Sequence, residues 1–126
     1  MAKQQFIRKT PSDTGVKKLL FTEVFRENLA YVLDYSLQNW GALVANTFAV
    51  KVENETDKLT FAYGRNPKCR FIESTATKTY RNILINSYFI VYVVKKDIVI
   101  VLDIIYQGRC PANIKKQIKT AEKEGI

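Results

Sequence analysis

The chain has no histidine in 126 residues, and that absence limits its chemistry. Histidine is the side chain whose ordinary pKa lies nearest neutrality, and it is the commonest general base. Without it, Ser-His-Asp and Cys-His nucleophilic catalysis are both closed. Cys69 and Cys110 are the only cysteines. Two are too few for a disulfide framework; they read as free thiols in a reducing cytosol, and without histidine they leave no zinc site. One carboxylate stands apart: Asp103 lies inside the apolar run IVIVLDIIY, where a charge must find a cation or an amide. Arg81 or Arg109 is the expected partner, in a structural ion pair. Twenty Lys and Arg against twelve Asp and Glu give a net charge of +8. That excess points to an anionic partner: nucleic acid, an acidic protein or an anionic membrane surface.

These groups need a scaffold, and the hydropathy pattern supplies one. Residues 1–16 read as a basic N-terminal arm broken by PSDTG, with no apolar stretch of signal-peptide length, so a cytoplasmic location is expected. Residues 17–126 read as a single domain. A short strand is predicted at Lys17 to Phe21. Thr22 then suits an N-cap and Glu23 a first helical turn. Phe25, Leu29, Val32, Leu33, Leu37 and Trp40 recur at spacings of three and four, one stripe of a helix ending near Asn39. Gly41 breaks it, and a second helix from Ala42 to Leu59 makes an antiparallel hairpin with the first.

A long connection, 60–79, follows, with a short strand expected at Cys69 to Glu73. Three strands come next: Tyr80 to Ile85, Tyr88 to Val94 and Ile98 to Tyr106, joined by links short enough for tight hairpins. Pro111 can open a short C-terminal helix with Ile114, Ile118 and Ala121 on one side. The fold class is α+β: an N-terminal strand and a helical hairpin packed on a mainly antiparallel sheet.

The stretch YFIVYVVKKDIVIVLDIIY, residues 88–106, raises a question of cover. Fifteen of its nineteen residues are apolar or aromatic. Charge breaks it too often to cross a membrane, and as two strands it is apolar on both faces, unlike a half-solvated antiparallel pair. The helical hairpin covers one face. The other, carrying Phe89, Val91 and Val93 with Val99 and Val101, would expose more apolar surface than a monomer tolerates. Either the terminal segments fold over it or a partner does, and these five residues are the expected partner contacts.

The order of elements, with LDYSLQNWG, then YRNILINSYFIVYVV, then IVIVLDIIYQGRCP, resembles the RelE/ParE superfamily of toxins from type II toxin–antitoxin pairs. The resemblance runs from about Lys17 to Lys116. It rests on an aromatic-Arg pair opening the first hairpin strand (Tyr80-Arg81), the strand YFIVYVV, and the Arg-containing turn from Gln107 to Pro111. The arm and the 60–79 connection are longer than is usual there. The resemblance implies a RelE/ParE-like fold and a cognate antitoxin whose segment wraps the sheet and helices, with the toxin as a homodimer or in a heterotetramer with the antitoxin. Acidic antitoxin segments would match the charge of +8, with Lys115, Lys116 and Lys119 as contacts alongside the five apolar residues. No cofactor or metal is expected.

Two activities divide that superfamily. The RelE-like branch cuts mRNA on the ribosome, which needs dense cationic charge around one phosphate and a proton carrier. The ParE-like branch lacks that set and binds DNA gyrase. Carried over position by position, Arg81 and Arg109 match basic positions, and Tyr106 is the one candidate proton carrier. Ile83 and Phe89 stand where two further cations are expected. Half the cations are therefore missing, and the NWG helix end is ParE-like, so a gyrase-binding toxin is the expected reading and an mRNA endoribonuclease the alternative. A basic nucleic-acid-binding domain without toxin activity is the third.

Overall fold

The computed structural model describes residues 16–125. The expected N-terminal arm, 1–16, therefore lies almost wholly outside the described residues. β1 (Lys18–Phe21) leads into α1 (Glu23–Trp40), α2 (Ala42–Asp57) and a short 3-10 turn (Lys58–Thr60). β2 (Thr79–Ile85), β3 (Tyr88–Val94), β4 (Ile98–Tyr106) and α3 (Pro111–Gly125) complete the chain. The sheet order is β1-β4-β3-β2. β1 pairs parallel with β4, and the other two pairings are antiparallel.

Local chemistry sets the joints. Thr22 caps α1: its hydroxyl accepts from Phe25 N at 3.0 Å and donates to the carbonyl of Leu102 at 2.6 Å. One buried side chain thus starts the helix and fastens it to β4. Gly41 joins α1 to α2 at a φ of 93°, a region that disfavours a residue with a Cβ. The second helix stops two residues before the expected Leu59, and Leu59 is buried from within the 3-10 turn. No strand forms at Cys69 to Glu73. Instead an isolated bridge joins Lys68 to Arg81, with Cys69 N donating to Tyr80 O at 2.8 Å.

Two cores lie on opposite faces of the sheet. Phe25, Val32, Phe48 and Val52 of the hairpin pack on Ile83, Ile90, Tyr92, Val99, Val101 and Ile104. On the other face Tyr80, Val91, Val93, Ile100, Leu102 and Ile105 meet Ile114, Ile118 and Ala121 of α3, together with Cys69. The second face is therefore closed largely by the chain itself. Pro111 opens the expected C-terminal helix, fifteen residues long and amphipathic, and Ile114, Ile118 and Ala121 form its buried stripe.

This corrects four of the expected partner contacts. Val91, Val93, Val99 and Val101 are buried in the protein's own cores. Val99 and Val101 do not even share the face of Val91. Between Val91 and Tyr92 the β3–β4 register shifts, leaving Leu102 as an extra residue, and the alternation along β4 resets there. Phe89 alone of the five stays partly exposed.

Candidate functional site

Arg81 projects on the hairpin face of β2, opposite Tyr92. Its Nη1 donates to the carbonyl of Asn66 at 2.6 Å, while its buried Nε has no partner. Asn66 also donates to the Tyr92 hydroxyl at 3.1 Å, and that hydroxyl donates to Tyr63 O at 2.9 Å. The guanidinium is thus part of the packing that holds the 63–66 turn against the sheet. Burial pushes the Tyr92 phenol up, against the opposing pull of Asn66 and Arg81.

Tyr106 sits at the opposite end of the sheet, paired with Tyr88. Arg81 registers with Tyr92, four residues along β3, which is roughly 13 Å, and β2 and β4 are separated by two strand spacings, about 10 Å. Tyr106 is 52% exposed and its ring lies over Gly108, where an added Cβ would fall 2.3 Å from Cε2. Arg109, on the surface beside it, bonds back through its amide to Tyr106 O. Arg81 and the Tyr106–Arg109 corner do not surround one phosphate.

Asp103 is fully buried and is satisfied by amides rather than by the expected arginine. Asn28 of α1 donates to it at 2.7 Å, Gln117 of α3 at 3.1 Å, and the Ile104 amide at 2.8 Å. Burial pushes its carboxyl up, and these donors, with the field of Arg109, act in the other direction. Its place explains the geometry: β1 ends opposite Val101, so the edge of β4 beyond it is covered by α1 and α3, and Asp103 joins both. Lys115, Lys116 and Lys119 are exposed on α3, as their spacing implies.

Two further surfaces emerge only in the folded chain. Tyr31 and Tyr35, one turn apart on α1, join Tyr88 and Tyr106 in a tyrosine cluster. The Tyr88 and Tyr106 rings lie 5.9 Å apart, and Phe48 packs on Tyr88 from behind at 5.7 Å. Burial raises the Tyr88 phenol, and its three phenolic neighbours raise it further. The signal was present: Tyr31 and Tyr35 share an i, i+4 spacing on the flank of the apolar stripe. The second surface is the outer side of the hairpin, where Ala30, Leu33, Leu37, Ala45 and Ala49 line a groove of about 380 Å³. Trp40 (65% exposed) and Leu43 (80%) flank Gly41 at the joint between the two helices.

Among the described residues no group of three or more His, Cys, Asp or Glu could hold a metal, and no helix is long and apolar enough to cross a membrane. Both cysteines are free, Cys69 buried and Cys110 exposed.

The family model of the ParE toxin of the type II toxin–antitoxin system parDE matches residues 19–111. The chain belongs to the ParE toxin family. A solved structure described as the chromosomal ParDE TA system from P. aeruginosa has the same fold, with a TM-score of 0.59 at 13% identity over 74% of this chain and 98% of that one. No match is found among curated proteins. In this ParE-family toxin the matched span runs from β1 through β4 and stops at Pro111. α3, which closes the second face, lies beyond it.

Proposed function

We propose that this ParE-family toxin acts by docking onto a cytosolic protein target, DNA gyrase, and is neutralised by a cognate antitoxin. The observation that carries this reading is the dispersal of the cationic set: Arg81 is bonded into the 63–66 turn, far along the sheet from Tyr106 and Arg109. Ribonuclease chemistry needs those charges around a single phosphate, with a proton carrier in hydrogen-bond reach. Docking needs exposed aromatic and apolar anchors, and Tyr31, Tyr35, Tyr106, Trp40 and Leu43 provide them. Assembly with the antitoxin as a heterotetramer, or of the toxin as a homodimer, is compatible with this surface.

Two outcomes follow. Arg81→Ala combined with Arg109→Ala remains toxic on expression, with stability lowered by about 1–2 kcal/mol for the lost Arg81–Asn66 bond. A folded double variant that no longer arrests growth would assign the chain to the endoribonuclease branch instead. Trp40→Ala with Leu43→Ala leaves the melting temperature nearly unchanged, since both side chains are exposed. The same pair weakens antitoxin affinity by roughly tenfold or more, as measured by calorimetry.

A further inference from the structure

The charge of +8 is divided unevenly over the fold. α1 and α2 hold six of the twelve acidic residues and two of the twenty Lys and Arg, so the hairpin layer is acidic, at −4. On the opposite face of the sheet, α3 sets four cations in order. Lys115, Lys119 and Lys123 recur at every fourth residue with Lys116 beside them, and all four are exposed. At 1.5 Å per residue the three make a row about 12 Å long, and with Lys116 they occupy roughly 100° of the helix surface. Glu124 falls outside that arc by register.

Lys78 joins the row from the 60–79 connection, lining a cavity of about 340 Å³ with Lys115, Lys119, Tyr80 and the exposed Glu73. Glu122 is already engaged there: Lys78 bridges it at 3.1 Å and the Tyr80 hydroxyl donates to it at 2.6 Å. Among the described residues none of the four α3 lysines makes an ion pair. Like charges four residues apart weaken a helix, so the row works against the element that covers the second face. It also lies outside residues 19–111, the span matched by the family model.

We infer that this lysine row docks the phosphate backbone of duplex DNA, without regard to sequence. A polyanion relieves the repulsion along the helix, and a duplex presents one charge per about 1.7 Å of its axis. A protein partner fits less well. Interface centres are built on aromatic, apolar and Arg anchors and are poor in Lys, and the only exposed apolar residues on α3 are Pro111 and Ala112 at its start. Single strands are held by stacking bases on aromatic rings, and α3 has none. The choice of DNA over duplex RNA rests on the reading of gyrase as the target. The hairpin anchors and the lysine row lie on opposite faces of the sheet, so one toxin molecule can touch the enzyme with the first and the enzyme's DNA with the second.

The test uses the purified full chain and fluorescence anisotropy with labelled DNA duplexes of two unrelated sequences, a duplex RNA and a single-stranded DNA. Both DNA duplexes are expected to bind alike, more weakly as salt rises. Lys119→Gln with Lys123→Gln is expected to lower that affinity about tenfold or more and to reduce the slope of log affinity against log salt by about two. Lys119→Arg with Lys123→Arg binds as wild type does. Arg26→Gln with Lys51→Gln removes the same charge from the hairpin layer and leaves binding unchanged. Equal losses in the two Gln variants would mean that net charge alone attracts the duplex, and the site falls. Tighter binding of the single strand or the RNA overturns the occupant. So does a Lys119→Gln/Lys123→Gln protein that keeps the duplex and loses the acidic antitoxin. Supercoiling by gyrase separates this site from the proposed function. Wild type that inhibits gyrase and ignores free duplex leaves the docking reading standing and removes the lysine row. Wild type that binds duplex through the row and spares gyrase does the reverse. Thermal melts of the Gln variants are expected at or above wild type, because the substituted side chains are exposed and their mutual repulsion is gone.

Discussion

Ile118→Ala is expected to destabilise the protein by about 2–5 kcal/mol, the range for emptying a fully buried isoleucine site. In a chain of this length that lowers the melting temperature by roughly 10 °C. Ile118 is fully buried between Ile114 and Ala121 on α3 and the strand residues Val91, Val93, Ile100 and Leu102. An isolated helix of fifteen residues is marginal in water, so α3 holds its shape only while this stripe is packed. The variant should therefore also become sensitive to trypsin at Lys115, Lys119 and Lys123 at temperatures where wild type resists, and should bind a hydrophobic dye on the uncovered face. Unchanged melting and unchanged proteolysis would mean that α3 does not cover the sheet.

Asp103→Ala is expected to cost about 2–4 kcal/mol, because it takes the acceptor from the buried Ile104 amide and from the half-buried Asn28 and Gln117 side chains. Asp103→Asn, which keeps an acceptor and discards the charge, should recover most of that loss. The pH dependence separates the two effects. The folded-state pKa of Asp103 is raised, so the folded protein holds this proton more tightly than the unfolded chain. Its contribution is fully present below the ordinary carboxylate value and is lost as pH rises from there through the raised folded value. Wild type should lose stability across that window relative to Asp103→Asn, as measured by denaturant titration at several pH values. Parallel curves for the two proteins would show that burial does not dominate at this site.

The elements were legible in the sequence where periodicity and punctuation agree. Thr22 and Gly41 bound the first helix, and the links 86–87 and 95–97 bound three strands whose residues match the structure closely. What escaped depends on contacts distant in the chain. The bulge at Leu102 cannot be read from alternation, because the strand residues around it other than Asp103 are apolar whichever way they face. The weight of α3 escaped as well: its stripe is three residues among many lysines, and only the strands beneath make it a cover. Of the two covers the sequence leaves open for the second face, the chain's own terminal helix supplies most. Apolar exposure is found instead on the hairpin, at Trp40 and Leu43, and in the remnant around Leu84 and Phe89.

The candidate site was legible by residue type and not by geometry. Arg81, Tyr106 and Arg109 were identified as the groups that ribonuclease chemistry would use, and the register of β2, β3 and β4 sets Arg81 far from the other two. Asp103 was recognised as needing a partner, and amides fill that role because α1 and α3 both reach the uncovered edge of β4. The tyrosine cluster arises from α1, β3 and β4 together, so no single stretch of sequence announces it.

Docking, and not RNA cleavage, is the action proposed for this toxin. The most direct measurement adds the purified protein, in parallel, to translating ribosomes carrying a defined mRNA and to gyrase with relaxed plasmid DNA. The account predicts intact mRNA together with inhibited supercoiling. Cleavage of the mRNA within translated codons, lost in the folded Arg81→Ala/Arg109→Ala variant and with supercoiling untouched, would contradict it.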